Sequence, residues 1–380
     1  MVSQQRIFFY FLQFCVGSVA EIPASVKNAD WKVLYVIAKK QALIGVLFHG
    51  IKQLPKELAP DEDLLMTWMG MAQRIRQQNA RLFMDSAKVC KNFQQEGFRC
   101  CILKGQGNAL LYPDSYMCTP GDIDIYLGGG RKRIMEYVNK VCPNQVMRYH
   151  HVDFPVMKTA IEVHFTPSYM FYPVHNRRMQ KWFGTVMDLQ CSNRVVLPDG
   201  YGEITVPTVS FNVIYILSHL YRHVFTEGIG LRQLLDYYFV LVKWHTDPTD
   251  LNTCKSLPQI TQMNADMDAL RHEMKWLGLW KFAGAVMYVL HEVFGLSEDK
   301  MIAPMDEKEG KFLLDEIMRG GNFGQYDNRL GSKEDEGKLH RYLRMNLRNL
   351  RFVKHYPTEA LSEPLFRTWF AVWKKIHGVR

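Results

Sequence analysis

The chain has 380 residues, 47% of them hydrophobic and 22% charged, with a formal net charge of +9. That balance excludes a disordered chain, the length suffices for two or three domains with sizeable cores, and no apolar run reaches the roughly 18 residues of a membrane span. The eight cysteines (Cys15, Cys90, Cys100, Cys101, Cys118, Cys142, Cys191, Cys254) include no Cys-x-x-Cys pair and no ladder of spacings, so they fit a reduced intracellular protein better than a disulfide scaffold or a zinc site.

Taken in chain order, the first segment imitates a secretory signal. Arg6 precedes the apolar run Ile7 to Val16, and Gly17-Ser18-Val19-Ala20 resembles a small-residue cleavage site. A single positive charge and Gln13 inside the run favour a helix retained in the fold instead. Residues 1–98 carry helical periodicity, as from Trp31 to Ala38, broken at Leu54-Pro55 and Ala59-Pro60. Asp61 and Asp63, in Pro60-Asp61-Glu62-Asp63, read as a turn and helix start.

Residues 99–208 hold short strands and turns. Cys100 to Leu103 reads as a buried strand, followed by Lys104-Gly105-Gln106-Gly107. Two glycines permit close backbone approach, and a helix from about Asn108 to Tyr112 would aim its N-terminal amides at an anion, with Lys104 adding a point charge. In Gly121-Asp122-Ile123-Asp124-Ile125-Tyr126-Leu127 two carboxylates alternate with isoleucines. On a strand both acids point to one face, where like charges repel unless a cation sits between them. Hard oxygen ligands at that spot suit Mg²⁺ with positions left for phosphate oxygens. The same Asp-x-Asp spacing at Asp266/Asp268 lies on a solvated helix face and carries no such reading. Gly128-Gly129-Gly130, leading to Arg131, Lys132 and Arg133, reads as an ordinary strand-to-helix turn. Ala160 to Phe165 reads as a further strand with Glu162 and His164 on one face. A third carboxylate there is what a two-metal phosphoryl-transfer site requires, since cations about 4 Å apart need bridging and flanking acids. His150 and His151 are expected on opposite faces of a strand, unable to act as a pair.

From about residue 209 onward the pattern is mainly helical. His219 and His223, four apart, lack a neighbouring Glu or a clear third ligand and are read as core or surface histidines, not a zinc pair. Arg232 and Asp236 follow Gly228-Ile229-Gly230 one helical turn apart; an ion pair at a helix start and a nucleotide-facing role both fit. Arg319 to Gly324 is a glycine-rich loop, opening a break that runs to Gly337. From Lys338 to Arg380, ten Lys/Arg face only Glu359 and Glu363. Arg341, Arg344, Arg348 and Arg351 share one helical stripe, opposite Leu339, Leu343, Leu347, Leu350 and Val353. The stripe could form a platform for nucleic acid or an anionic acceptor. No aromatic residues interleave with it, so a solvated face over a core-facing apolar stripe is preferred.

The order of strand, Lys-Gly turn, helix, Tyr112-Pro113-Asp114, Gly-Asp-Ile-Asp strand and Glu-Val-His strand resembles the uncharacterised nucleotidyltransferase family of the polymerase β-like superfamily. Asp30-Trp31, Gln41 to Gly50, Tyr149 to Phe165, Glu227 to Asp236 and Asn322-Phe323-Gly324 extend the resemblance over nearly the whole chain. It implies an α+β fold with a small mixed-sheet nucleotidyltransferase core (99–208) between helical regions (1–98 and 209–380), the last with a basic end. By resemblance, Asp122, Asp124 and Glu162 are the catalytic residues and hold two Mg²⁺ ions, or Mn²⁺, with His164 as a neighbour. Lys104, Gly105, Gln106, Gly107, Arg232 and Asp236 are the expected nucleotide-binding residues. The implied reaction moves an NMP from ATP or another NTP to an acceptor of unknown kind (small molecule, protein or RNA), in the cytoplasm, with the apolar N-terminal run as the family's first helix. Two departures stand out: the superfamily's Gly-Ser is Lys104-Gly105 here, and Cys118 occupies a place where this family often has Arg. The rival readings are a degenerate nucleotidyltransferase fold kept as a binding, regulatory or toxin-antitoxin module, supported by Cys118, and a glycosyltransferase whose Asp-x-Asp holds a sugar nucleotide.

Overall fold

The structure is a computed structural model that describes residues 2–246, 259–329 and 337–377. Cys254, residues 330–336 of the break after Arg319, Arg380 and the side chains of Lys338 and Leu339 lie outside the described residues.

Four helices lead the chain: α1 (Gln4–Cys15), α2 (Trp31–Lys40), α3 (Ile44–Ile51) and α4 (Glu62–Gln95). The signal-like run is α1, whose Ile7, Phe8, Phe11 and Leu12 are buried where it packs on α3 and on the later helix Trp280–Phe294. Asp61 caps α4 as its sequence context suggests, accepting from the Leu64 amide at 2.9 Å. Along α4 the buried side chains recur every three or four residues, from Trp68 through Ala72, Ile75 and Asn79 to Leu82 and Phe83. Asn79 is the polar member of that apolar stripe. Its amide donates to the carbonyls of Tyr116 (2.9 Å) and Cys118 (2.7 Å), and its oxygen accepts from Gln106 (3.1 Å). One buried side chain thereby fixes both the glycine turn and the loop that enters the Asp-x-Asp strand.

The central sheet contains β1 (Cys100–Ile102), β2 (Ile123–Leu127), β3 (His151–Asp153) and β4 (Ile161–His164) in the order β1-β2-β4-β3. β2 and β4 are parallel and the outer pairs antiparallel, so the sheet is mixed. The register sets Asp124 opposite Glu162 and Glu162 opposite Asp153, with His164 between Tyr126 and His151. Alternation sends Asp124, Glu162 and His164 to one face, while Ile123, Ile125, Ile161 and Val163 are buried against the core.

Between and after these strands lie α5 (Gln106–Ala109), α6 (Gly130–Val141), α7 (Pro173–Gln190) and the hairpin of β5 (Arg194–Val196) and β6 (Glu203–Thr205). The helix expected from Asn108 to Tyr112 is instead the single turn α5, two residues earlier. Gly105 makes the turn with φ +57°, and Gly107 is required by packing, since a Cβ there would lie 2.9 Å from Val206.

The remaining helices are α8 (Val209–Thr226), α9 (Leu231–Thr246), α10 (Gln259–Trp276), α11 (Trp280–Phe294), α12 (Glu307–Gly320), α13 (Lys338–Val353) and α14 (Pro357–Ile376). With helices before and after a small mixed sheet, the fold is α+β. Buried Glu359 accepts from the amides of Phe171 (2.7 Å) and Tyr172 (3.2 Å), tying α14 to the start of α7. The basic stripe of α13 overturns the solvated-face expectation. Leu343, Leu347 and Leu350 are 52%, 53% and 61% exposed, whereas the four arginines face a cavity. The reason is electrostatic: α13 lies over Glu316 and Asp327, which Arg351 meets at 3.7 and 3.1 Å, and this pairing turns the leucines outward. Among the described residues no helix is long and apolar enough to cross a membrane.

Candidate functional site

The polar face of β2, β3 and β4 floors a cavity of about 720 Å³, walled by α8, Phe323 and Gly324 of the loop after α12, α13 and α14. This volume is of small-ligand size. Asp122, Asp124, Glu162, Asp153 and His151 line the floor. A smaller pocket of about 100 Å³ adjoins it, lined among others by Lys104, Gly105, Asp122, Asp124, Arg232 and Asp236. Asp122 and Asp124 border both hollows.

Both oxygens of buried Asp124 are engaged. Lys104 Nζ lies 3.0 Å from Oδ2, and His164 Nε2 lies 2.9 Å from Oδ1. Burial alone would raise this carboxyl's pKa, but Lys104 and the bond and charge interaction with His164 together outweigh it and hold the group well below the usual carboxylate range. His164 shows the reciprocal effect. Burial disfavours its imidazolium, yet the bonds to Asp124 and to Glu162 (3.6 Å) raise its pKa. Glu162 also meets His151 Nδ1 at 3.1 Å; burial is the largest influence and opposes its ionisation, but the His164 bond together with the charges of His151 and His164 gives a net lowering of its pKa. Asp122 is the exception. The charge of Asp124, and then burial, push its pKa up to about 6, against a smaller opposing pull from Lys104. The floor thus holds one carboxylate satisfied by Lys104 and His164 and one in repulsion with it.

The donor set fits a divalent cation. Ligand atoms of Asp124, Glu162 and His164 lie within 4.8 Å of one another, as do those of His151, Asp153 and Glu162, and those of His150, His151 and His164. Asp122 is outside these groups but borders the same floor, and a cation shared with Asp124 would relieve its repulsion. Oxygens favour Mg²⁺, whereas His164 and His151 add nitrogens that Mn²⁺ also accepts.

The expected nucleotide-binding residues are not all brought together. Lys104 and Gly105 border the smaller pocket, but Gln106 turns inward to Asn79 and Gly107 packs on Val206. Arg232 and Asp236 form the i,i+4 pair at 3.7 Å; Arg232 also donates to the Thr119 carbonyl, and Asp236 accepts from Tyr112 at 2.6 Å. They serve as structural ties and as pocket wall at once. Cys118 is buried, with Sγ toward Asn79. Arg131 and Arg133 bond the carbonyls of Tyr149 and Gly97, as an ordinary turn would have them.

One reading of the histidines needs correction and another needs extending. His150 precedes β3, so strand alternation does not separate it from His151, and their rings meet at 3.3 Å. His219 is buried and His223 half-buried, in keeping with a core placement, and both also face the cavity. They line the cavity 3.0 Å apart, with His219 Nε2 3.1 Å from Lys104 Nζ. Burial, and then Lys104, lower the pKa of His219 well below the usual imidazole value. Pattern reading also misses Asn79 and Arg222, and gives His151 no place beside Glu162. Only Asn79 carried a local signal, as a polar residue at an apolar helical position.

The model of a family described as uncharacterised nucleotidyltransferase matches residues 27–295. A solved structure of an antigenic nucleotidyltransferase-like protein from Paracoccidioides brasiliensis is 14% identical, covering 52% of this chain and 92% of that one, with a TM-score of 0.29. No curated protein matches the chain significantly.

Proposed function

The chain belongs to the uncharacterised nucleotidyltransferase family, and on that premise we propose that it transfers an NMP from a nucleoside triphosphate to an acceptor hydroxyl or amine. The proposed catalytic core is 99–208, between helical regions 1–98 and 209–380. The observation that carries the reading is the in-register pair Asp124 and Glu162 on parallel strands, with Asp122 beside them under charge repulsion.

Asp122, Asp124 and Glu162 would hold the divalent cations. When bound, two such cations, Mg²⁺ or Mn²⁺, activate the acceptor and neutralise the leaving group. The acceptor oxygen or nitrogen bonds to the α-phosphorus, the bond to the bridging oxygen breaks, pyrophosphate leaves and the acceptor loses a proton. Lys104 supplies positive charge beside Asp124 and at the edge of the smaller pocket. His164 and His151 orient Asp124 and Glu162 through the bonds described above. The wall of α8, α13 and α14 encloses the reactants and limits water.

One observation favours a second reading. Lys104 and His164 occupy both oxygens of Asp124, as in a module that binds nucleotide without turning it over. Incubation with Mg²⁺ and each NTP or UDP-sugar separates the possibilities. Pyrophosphate release supports nucleotidyl transfer, UDP release supports glycosyl transfer, and nucleotide binding without either product supports the module.

A further inference from the structure

Among the described residues, the cavity wall opposite the carboxylates holds a buried guanidinium, Arg222, and a half-buried one, Arg348, neither in an ion pair with a carboxylate. Arg222, on α8, is 8% exposed. Its Nη2 lies 3.4 Å from His219 and 3.0 Å from His223, its guanidinium stands 5.1 Å over the Tyr169 ring, and its Nε has no partner. Those imidazoles bring no negative charge. Burial and neighbouring cations keep both neutral at pH 7, His223 with a pKa near 4. Glu227 on the same wall is engaged by His223 at 3.4 Å.

Arg348, on α13, lies over the Phe352 ring at 5.2 Å, and its buried Nη1 has no partner. The acids around it are committed elsewhere. Arg329 and Arg351 hold Asp327, Arg329 also holds Glu316, and Arg367 with Asn349 holds Glu363. Among the described residues no carboxylate forms an ion pair with Arg222 or Arg348. Burial, and then Arg351, press the Arg348 pKa down to about 10. An uncompensated buried charge costs several kcal/mol, so such a pair persists where an anion is to be received. Guanidinium forks match phosphate oxygens, and the acidic floor would keep a bare anion at this wall.

We infer that Arg222 and Arg348, with Arg341 and Arg344 on the same cavity wall, form a phosphate-binding subsite facing Asp122, Asp124 and Glu162. α13 lies beyond the family-matched residues 27–295. The inference rests on the proposed transferase reading only in taking the phosphate to be a substrate's. Two sources share this chemistry: the polyphosphate of the NTP, and a phosphate carried by the acceptor.

The test is a titration of the full chain in EDTA with inorganic pyrophosphate in one arm and ribose 5-phosphate in the other. Binding without metal is expected in at least one arm. Arg222→Gln and Arg348→Gln should each weaken it at least tenfold, while the Asp122→Asn/Asp124→Asn variant should bind as well as the parent or better. Preference for pyrophosphate assigns the subsite to the NTP, and preference for ribose 5-phosphate to the acceptor. Ligand-free Arg348→Gln should melt no lower than the parent, which a structural ion-pair partner would not allow. Should Arg222→Gln fail to fold, Arg222→Lys and Arg348→Gln carry the comparison. No binding of either anion, or unchanged affinity in the folded variants, overturns the inference. Because the assay needs neither metal nor turnover, its outcome is independent of whether the chain transfers nucleotides.

Discussion

Replacing Asp122 by Asn should stabilise the metal-free protein, and by an amount that depends on pH. The charge of Asp124 and burial raise the Asp122 pKa from the ordinary 3.8 to about 6. A carboxyl with a raised folded pKa binds its proton more tightly in the native state, so its stabilising protonation is fully present below the ordinary value of 3.8 and lost as pH rises through about 6. The resulting penalty on the parent is about 0.6 kcal/mol at pH 4, about 1.6 at pH 5 and about 3 at pH 8. Asp122→Asn carries no such charge, so its gain should follow that curve. For a chain of this length about 3 kcal/mol corresponds to roughly 4 °C in melting temperature. Thermal melts of parent and variant in EDTA from pH 4 to 8 measure it, and added Mg²⁺ should narrow the gap by stabilising the parent alone. A variant that melts at or below the parent at pH 8 would refute the like-charge account of this site.

Asp124→Asn should do the opposite, because it strips Lys104 and His164 of a buried partner; a loss of about 3–5 kcal/mol is expected at pH 7. Since the folded pKa of Asp124 is depressed, that stability is present above 3.8 and fades as pH falls below it, and urea unfolding at pH 7 and at acid pH tests the sign. Glu162→Gln should lower kcat at least ~100-fold with little change in nucleotide affinity; unchanged turnover would remove Glu162 from the site. Lys104→Met frees Asp124 Oδ2, so Mn²⁺ titration should show tighter cation binding, while the metal-free melting temperature drops. Weaker cation binding would mean that Lys104 does not compete for that oxygen.

The legible parts were those written in local pattern. Asp122 and Asp124 alternate with isoleucines, Glu162 sits two residues from His164, and both patterns are strands with the acids on one face. The register that sets Asp124 beside Glu162 is a long-range pairing with no local trace. Alternation misleads at His150, because the strand starts only at His151. The α13 stripe shows a deeper limit. Amphipathic periodicity identifies two faces, but which one turns inward depends on what lies beneath. Here Glu316 and Asp327, contributed by distant segments, draw the arginines in and leave Leu343, Leu347 and Leu350 exposed. Arg222 was invisible for the same reason: its significance is that, among the described residues, no carboxylate forms an ion pair with it, which only the packed structure displays.

The central claim is that nucleotidyl transfer occurs at the Asp122/Asp124/Glu162 floor. Its most direct test is label transfer, with Mg²⁺ and each NTP labelled at either the α or the γ phosphate, using a cell extract as the source of acceptor. The account predicts that the α label enters product and the γ label leaves as pyrophosphate, with α transfer abolished in Asp122→Asn/Asp124→Asn. Transfer of the γ label instead, or α transfer that persists in that variant, would contradict it.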